Sequence, residues 1–261
     1  MRRLIVSGAI ALAALVAGAG AIALAADEVH PPHRHWHFQG PFGTYDRAAA
    51  QRGYQVYAEV CAACHSLSLL AYRNLMQLEL TENQVKGLIK DIVVPDLNDD
   101  GQPIERPARL SDPFKKPFPN EAAAAAANGG KAPPDLSVIV KAREGGADYI
   151  YALLTGYVPF DKVTPAQVKE FGVTKDDNFN TYFPGHKIAM PPPLGDDKVT
   201  YADGTKATLA QESADVTEFL AWASEPWMEN RKRTGVSVIL FLLAMAGLMY
   251  AVKRQVWADK H

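Results

Sequence analysis

Only two of the 261 residues are cysteine, and charge nearly cancels, with 29 Asp and Glu against 27 Lys and Arg. A near-neutral chain has no basic surplus of the kind a nucleic-acid surface needs, so nucleic acid is excluded as a partner. There is no internal repeat, no phosphate-cradling loop, no Ser–His–Asp pattern and no metal-hydrolase motif. No self-contained catalytic site is therefore expected in this chain. A structural zinc site is also excluded, because it needs a second pair of ligands that the sequence lacks.

Charge is missing altogether from two long runs. The first covers residues 4–24; Arg2 and Arg3 precede it and the small residues Ala23, Ala25 and Ala26 end it. A basic start, an apolar centre and a small-residue end describe a secretory signal peptide over residues 1–26, with a retained membrane helix as the alternative. On either reading the residues after it are exported. The second run, residues 235–252, lies between Arg231, Lys232 and Arg233 on one side and Lys253 and Arg254 on the other. As a helix it spans roughly 27 Å, enough for the hydrocarbon core of a bilayer. Trp227, Tyr250 and Trp257 stand where interfacial aromatics belong, and Ser237, Ala244, Ala246 and Gly247 suit packing against other membrane helices. Basic residues flank both ends, so orientation follows from the signal peptide. The expected order is a periplasmic domain over 27–230, a single anchor over 235–252 and a short cytoplasmic tail over 253–261.

Between the two runs the pattern is mainly helical with long loops. Residues 27–43 are rich in His, Pro and Trp and read as irregular, although His30, His33, His35 and His37 form a local cluster with metal-binding potential. A helix is expected over residues 45–60, capped by Thr44, with Tyr54, Tyr57 and Ala58 on one face. Residues 66–94 read as helical, with Leu67, Leu70, Leu75 and Leu78 apolar and Thr81 and Gln84 forming a capping box. Residues 95–120 read as a proline-rich loop with a turn at 96–103. An alanine helix follows over 121–127, then two helical pieces over 133–156 split at Gly145 and Gly146. Residues 157–208 read as largely irregular, ending in a small hairpin around Asp203 and Gly204. The last soluble helix covers 209–223, with Val216, Phe219 and Leu220 on its apolar face.

The two cysteines stand together in Cys61-Ala62-Ala63-Cys64-His65. C-x-x-C-H is the attachment signature of a c-type haem. Two thiols three positions apart reach the two vinyl groups of one haem edge, and the adjacent histidine supplies a proximal nitrogen. A thioredoxin-like redox pair would want a βαβ context, which is missing. A structural disulfide at this spacing would be strained and reactive. The sixth ligand is open at this point. Met190 precedes Pro191, Pro192 and Pro193, which fix its backbone; His186 lies close by and competes. Met76 reads as core packing.

Longer blocks carry a wider resemblance. They are RGYQVYAEVCAACHSL at 52–67, AYRNL at 71–75, RPARLSDPF at 106–114, the stretch 119–157 containing APPDLS, YFPGHKIAMPPP at 182–193, EPW at 225–227 and RKRTG at 231–235. Over essentially the whole mature chain the sequence resembles bacterial members of the cytochrome c1 family, the haem subunits of the cytochrome bc1 complex. The resemblance implies a mainly α, class I cytochrome c-like haem domain with long loop insertions and one C-terminal transmembrane helix. It implies one haem c held covalently through Cys61 and Cys64, with His65 and Met190 as iron ligands. Asn128, Pro133 and Pro134 would line the haem, and Arg143 and Tyr149 would lie at its propionates. The implied partners are cytochrome b, a Rieske iron–sulfur protein as electron donor, and a soluble or anchored cytochrome c as acceptor. Asp96, Asp99, Asp100, Glu105, Asp176 and Asp177 are candidates for an acidic docking surface. The rival readings are an anchored cytochrome c that feeds a terminal oxidase, a haem sensor with an open sixth site, and a periplasmic thiol oxidoreductase with free Cys61 and Cys64.

Overall fold

A computed structural model describes residues 30–260, so the expected signal peptide lies outside the described residues. The unit from Pro31 onward is mainly helical. Its centre is the pair of α1, Arg47–Glu59, and α6, Leu209–Ser224. Asp46, not Thr44, caps α1 by accepting from the Ala49 amide at 3.0 Å. The amides of Tyr45 and Asp46 are committed to the Glu229 and Glu218 carboxylates, both at 2.9 Å, so the helix begins after them.

Tyr54 and Tyr57 are buried as expected, while Ala58 is exposed. Both tyrosine rings meet Phe219 of α6, with centroids 5.7 and 5.6 Å away. The two helices touch at Gly53, where an added Cβ would run into the Asp215 carbonyl and stand 2.7 Å from the Phe219 Cβ. Only glycine permits that approach. Gly53→Ala is expected to cost about 1–3 kcal/mol by forcing the helices apart. Denaturant unfolding of the detergent-solubilised chain measures it, and an unchanged midpoint would mean the helices are not tightly apposed there.

Helix α6 is buried nearly all round, well beyond the expected apolar face. Glu212, Asp215 and Glu218 are 0, 1 and 3% exposed. Such burial of acids requires partners. Asp215 is paired with Arg52, while Glu212 and Glu218 accept the amides of Val199 and Asp46.

The segment expected to be helical over 66–94 is broken up. Its four leucines are buried as expected, but they lie on a loop and a 3₁₀ stretch, Tyr72–Leu78. That stretch ends at Glu79, whose φ of +65° stops any helix. Met76, expected in the core, is 40% exposed. Helix α2, Glu82–Ile89, comes next with the expected Thr81–Gln84 capping box. The supposed loop after it holds an antiparallel hairpin, β1, Val93–Leu97, and β2, Pro103–Pro107. Prolines hid it from sequence reasoning. They are tolerated because a two-stranded ribbon is all edge, so a missing N–H can face water. Asn98 organises the turn, its Oδ1 accepting from Asp100 and Gln102. Arg106 ties it down, bonded to Asp96 across the ribbon and to Asp112 through Nη1 and Nη2 at 2.6 and 3.0 Å.

Helix α3, Glu121–Ala127, lies where expected. Of the two pieces expected over 133–156, only the second forms a helix, α4, Gly146–Thr155; the first is a series of turns. The region beyond is less irregular than expected. It holds a three-stranded antiparallel sheet in the order β3, Tyr157–Val158, β4, Asn178–Asn180, β5, Lys187–Ile188, with α5, Pro165–Phe171, inserted after β3. The expected hairpin around Gly204 is a turn without paired strands. Val199 gives its amide to Glu212 at 3.0 Å in place of a ladder bond.

Helix α7, Met228–Trp257, is 30 residues long, with a mean hydropathy of 2.3 over its most apolar window. Among the described residues it alone is long and apolar enough to cross a membrane. Its first turns dock on the haem-motif unit: Glu229 pairs with Arg47 at 2.7 Å, and Lys232 Nζ donates to the Phe38 and Gly43 carbonyls.

Candidate haem site

Cys61, Ala62 and Ala63 form a single 3₁₀ turn at the end of α1. The amides of Cys64 and His65 both return to the Cys61 carbonyl, at 3.1 and 2.9 Å. The turn thus gathers both thiols and the imidazole within one short loop. Burial pushes the Cys61 thiol up to about 12, with Cys64 adding to it. Cys64 is exposed.

His65 is held from two sides. Its carbonyl accepts from the Tyr57 hydroxyl at 3.2 Å, and its Nδ1 stands 2.7 Å from the Pro134 carbonyl. A carbonyl only accepts, so Nδ1 carries the proton and Nε2 keeps its lone pair. Burial holds the imidazole below its usual pKa, against the Pro134 carbonyl and Asp135, which favours the neutral form. Neutral imidazole with a pinned Nδ1–H is the form that ligates metal.

The Pro134 carbonyl is itself positioned. Asp135 accepts from the Ser66 hydroxyl and the Ser68 amide, at 2.8 and 2.9 Å, and from the Ser137 amide at 2.8 Å. Leu136 gives its amide to Ser66 at 2.9 Å. Burial raises the Asp135 pKa, but these hydrogen bonds outweigh it and hold the carboxyl well below its usual range. Beside this clasp lies a cleft of about 440 Å³ lined by Cys64, Asn120, Ala124, Pro133 and Pro134 among others.

Met190 stands outside that lining, two residues beyond β5. Its carbonyl accepts from the Tyr157 hydroxyl at 3.1 Å. Burial raises the pKa of both Tyr157 and Tyr149; Tyr149 adds to the rise at Tyr157, and Arg143 opposes the rise at Tyr149. The exposed Arg143 reaches the Ala142 carbonyl through Nη1. The 61–65 turn supplies two thiols and one oriented imidazole, and neither Met190 nor Arg143 is among the residues that line the cleft beside it. Soft sulfur plus imidazole suits a haem and not a hard-cation site.

The sequence profile of the Cytochrome C1 family matches residues 36–260. The chain belongs to the cytochrome c1 family. It is 44% identical to cytochrome c1 of Rhodospirillum rubrum, with 98% of this chain and 99% of that protein covered. It is 46% identical to the mitochondrial cytochrome c1 heme protein of Saccharomyces cerevisiae, covering 92% of this chain and 76% of the relative. Cytochrome b/c1 of Bradyrhizobium diazoefficiens is 49% identical over 88% of this chain, which spans only 36% of that longer protein.

Within this cytochrome c1 framework the other expected residues take varied places. Asn128 donates to the Ala124 carbonyl at 2.7 Å, one bond from the cleft. His186, the competitor for the sixth position, is packed away: Phe171 and Phe179 lie 4.2 and 5.3 Å from its ring, and Nδ1 meets the Asn180 carbonyl at 3.1 Å. The histidines near the start do not converge either. His33 pairs with Asp148 at 2.7 Å, which also takes the Trp36 indole N–H, and the segment is an ordered loop on α4. Among the described residues no three His, Cys, Asp or Glu side chains are grouped to hold a metal ion. Of the six acidic docking candidates, Asp96 and Asp177 are used internally, by Arg106 and Lys187, while Asp99, Asp100, Glu105 and Asp176 are exposed. Sequence reasoning placed Tyr57 only on the apolar face of its helix, and missed Asp135, Tyr157 and Asn180. Only Asp135 left a local trace, an Asp two residues before Ser137 that forms an Asx turn.

Proposed function

We propose that this chain is the haem-bearing electron carrier of a cytochrome bc1 complex, with one haem c attached through Cys61 and Cys64 and His65 and Met190 as axial ligands. The observation that carries the reading is the His65 Nδ1–Pro134 carbonyl bond, which leaves Nε2 as the only ring nitrogen able to bind iron. A haem there supplies reversible one-electron chemistry. The chain's own contribution is to fix the imidazole, to present the Met190 thioether on a proline-braced loop, and to offer Arg143 and Tyr149 to the propionates. A guanidinium and a carboxylate make a strong charge-assisted pair. Pro133 and Pro134 line the cleft beside Cys64 and Asn128 is bonded to Ala124 of the same lining, which supports all three as residues that would face the haem.

Electrons enter from a Rieske iron–sulfur protein and leave to a cytochrome c, for which the exposed Asp99, Asp100, Glu105 and Asp176 offer an acidic landing surface. Cytochrome b is the membrane partner; the Bradyrhizobium relative, named cytochrome b/c1, supports it. Residues 1–26 act as an export signal, α7 as the single anchor, and the haem domain faces the periplasm with residues 253–261 inside.

The test is optical. The oxidised, membrane-extracted protein is expected to show a thioether charge-transfer band, lost in Met190→Leu together with a large fall in reduction potential. An unmodified protein that binds carbon monoxide readily has an open sixth site and would replace this reading with a ligand sensor.

A further inference from the structure

The loop that presents Met190 is built around one buried amide. Asn180 is 0% exposed, yet every polar atom it owns is engaged. Its Nδ2 donates to the Leu153 carbonyl of α4 at 2.7 Å, and its Oδ1 accepts from the Tyr182 and Phe183 amides at 3.0 and 3.2 Å. Its backbone N–H donates to the His186 carbonyl at 2.9 Å, and its backbone carbonyl faces His186 Nδ1 at 3.1 Å. One residue therefore ties both ends of the turn between β4 and β5 to the haem-domain helix α4. His186 can hold φ +61° in that turn because its ring is stacked against Phe179 and bonded to Asn180.

The cross-strand partner of Asn180 is Tyr157. Tyr157 reaches past β5 and gives its hydroxyl to the Met190 carbonyl at 3.1 Å. Asn180 sets the turn, Tyr157 clasps its far end, and Pro191, Pro192 and Pro193 stiffen the backbone beyond Met190.

Resting on the reading of Met190 as iron ligand, we propose that Asn180 and Tyr157 are positioning residues that keep the Met190 sulfur at the iron and so hold the sixth site closed. Neither is among the residues expected to hold the haem. They act through the backbone of the loop, and a thioether is a weak enough ligand for loop geometry to decide whether it stays bound.

The experiment uses the full-length holoprotein in detergent and reads the oxidised thioether band, the reduction potential and carbon monoxide binding. Tyr157→Phe removes a single hydroxyl and is expected to raise the detached population roughly five-fold, the worth of one ordinary hydrogen bond. Asn180→Ala strips three side-chain bonds and is expected to raise it roughly ten- to a hundred-fold, with lowered potential and new carbon monoxide binding. Val173→Ala is the control: Val173 is 3% exposed in the small apolar cluster beside the sheet and makes none of these bonds. It is expected to lower unfolding stability and leave the band intact. If Tyr157→Phe keeps full band strength and potential, or if Val173→Ala weakens the band as much as Asn180→Ala, the positioning role is overturned. If Met190→Leu itself keeps the band, the ligand assignment fails and takes this inference with it, an outcome distinct from the other two.

Discussion

Arg52→Ala is expected to lower the stability of the folded chain by about 3–5 kcal/mol, the cost of leaving a buried charge without its partner. Arg52 grips Asp215 with Nε and Nη2, both at 2.9 Å, and sends Nη1 to Asp203 at 3.1 Å. Asp215 is 1% exposed on the helix face that meets α1, so water cannot replace the guanidinium. The Gln211 amide would remain, at 3.0 Å, as a neutral donor to one oxygen. A neutral hydrogen bond is worth only about 1 kcal/mol and does not offset a stranded carboxylate. The guanidinium also packs over the Tyr201 ring at 5.8 Å, and alanine is too short to reach it. Denaturant midpoints of matched, haem-loaded chains give the number. The double variant Arg52→Met with Asp215→Leu should recover most of the loss, because an apolar pair of similar volume needs no desolvation. A loss below about 1 kcal/mol in Arg52→Ala would class the pair with exposed salt bridges and place water at Asp215.

The same pair shows what a linear sequence hides. Arg52 lies within α1 and Asp215 within α6, 163 residues apart, and no local pattern marks either of them. Nothing local says that α6 is buried on every side. Features carried by neighbouring residues were legible: Cys61-Ala62-Ala63-Cys64-His65, the alanine helix stopped by Asn128, the Thr81–Gln84 box, and the charge-free run within α7. Each depends on spacing along one short segment.

The long-range clasps were not legible. The Pro134 carbonyl that orients His65, the Asp135 carboxylate bonded to Ser66 and Ser68, and Asn180 bonded to Leu153 join segments far apart in the chain. The β1–β2 ribbon was hidden for a different reason. Pro95, Pro103 and Pro107 argue against central strands, and a two-stranded ribbon tolerates them because both of its strands are edges. His186, weighed as a competitor to Met190, packs against two phenylalanines, Phe171 and Phe179, that no local pattern brings to it.

Glu218→Gln is expected to remove a pH dependence built into the α1–α6 contact. Glu218 is 3% exposed, and its Oε1 accepts from the Asp46 amide at 2.9 Å, at the cap of α1. Burial is the largest influence and raises its pKa from 4.5 to about 7; Asp46 and Asp215 add to it, and the Asp46 amide bond and Arg47 oppose it. The folded chain therefore holds this proton more tightly than the unfolded chain does. Below about pH 4.5 both states are protonated and the buried carboxyl is neutral. Between about 4.5 and 7 the folded state binds more protons, so stability falls as pH rises; above about 7 both states are ionised and the fall is complete. The full drop is roughly 3 kcal/mol. Asp112 and Asp177, both held at about 2 chiefly by their hydrogen bonds to Arg106 and Thr174, act in the opposite sense and at lower pH. Comparing two chains that differ only at residue 218 cancels them and every other group. Glutamine keeps an oxygen for the Asp46 amide and cannot ionise, so the variant should match the parent near pH 4.5 and exceed it by about 2–3 kcal/mol at pH 8. Parallel stability curves across pH 4.5–7 would mean that Glu218 is already ionised throughout, with the Asp46 amide and Arg47 outweighing its burial.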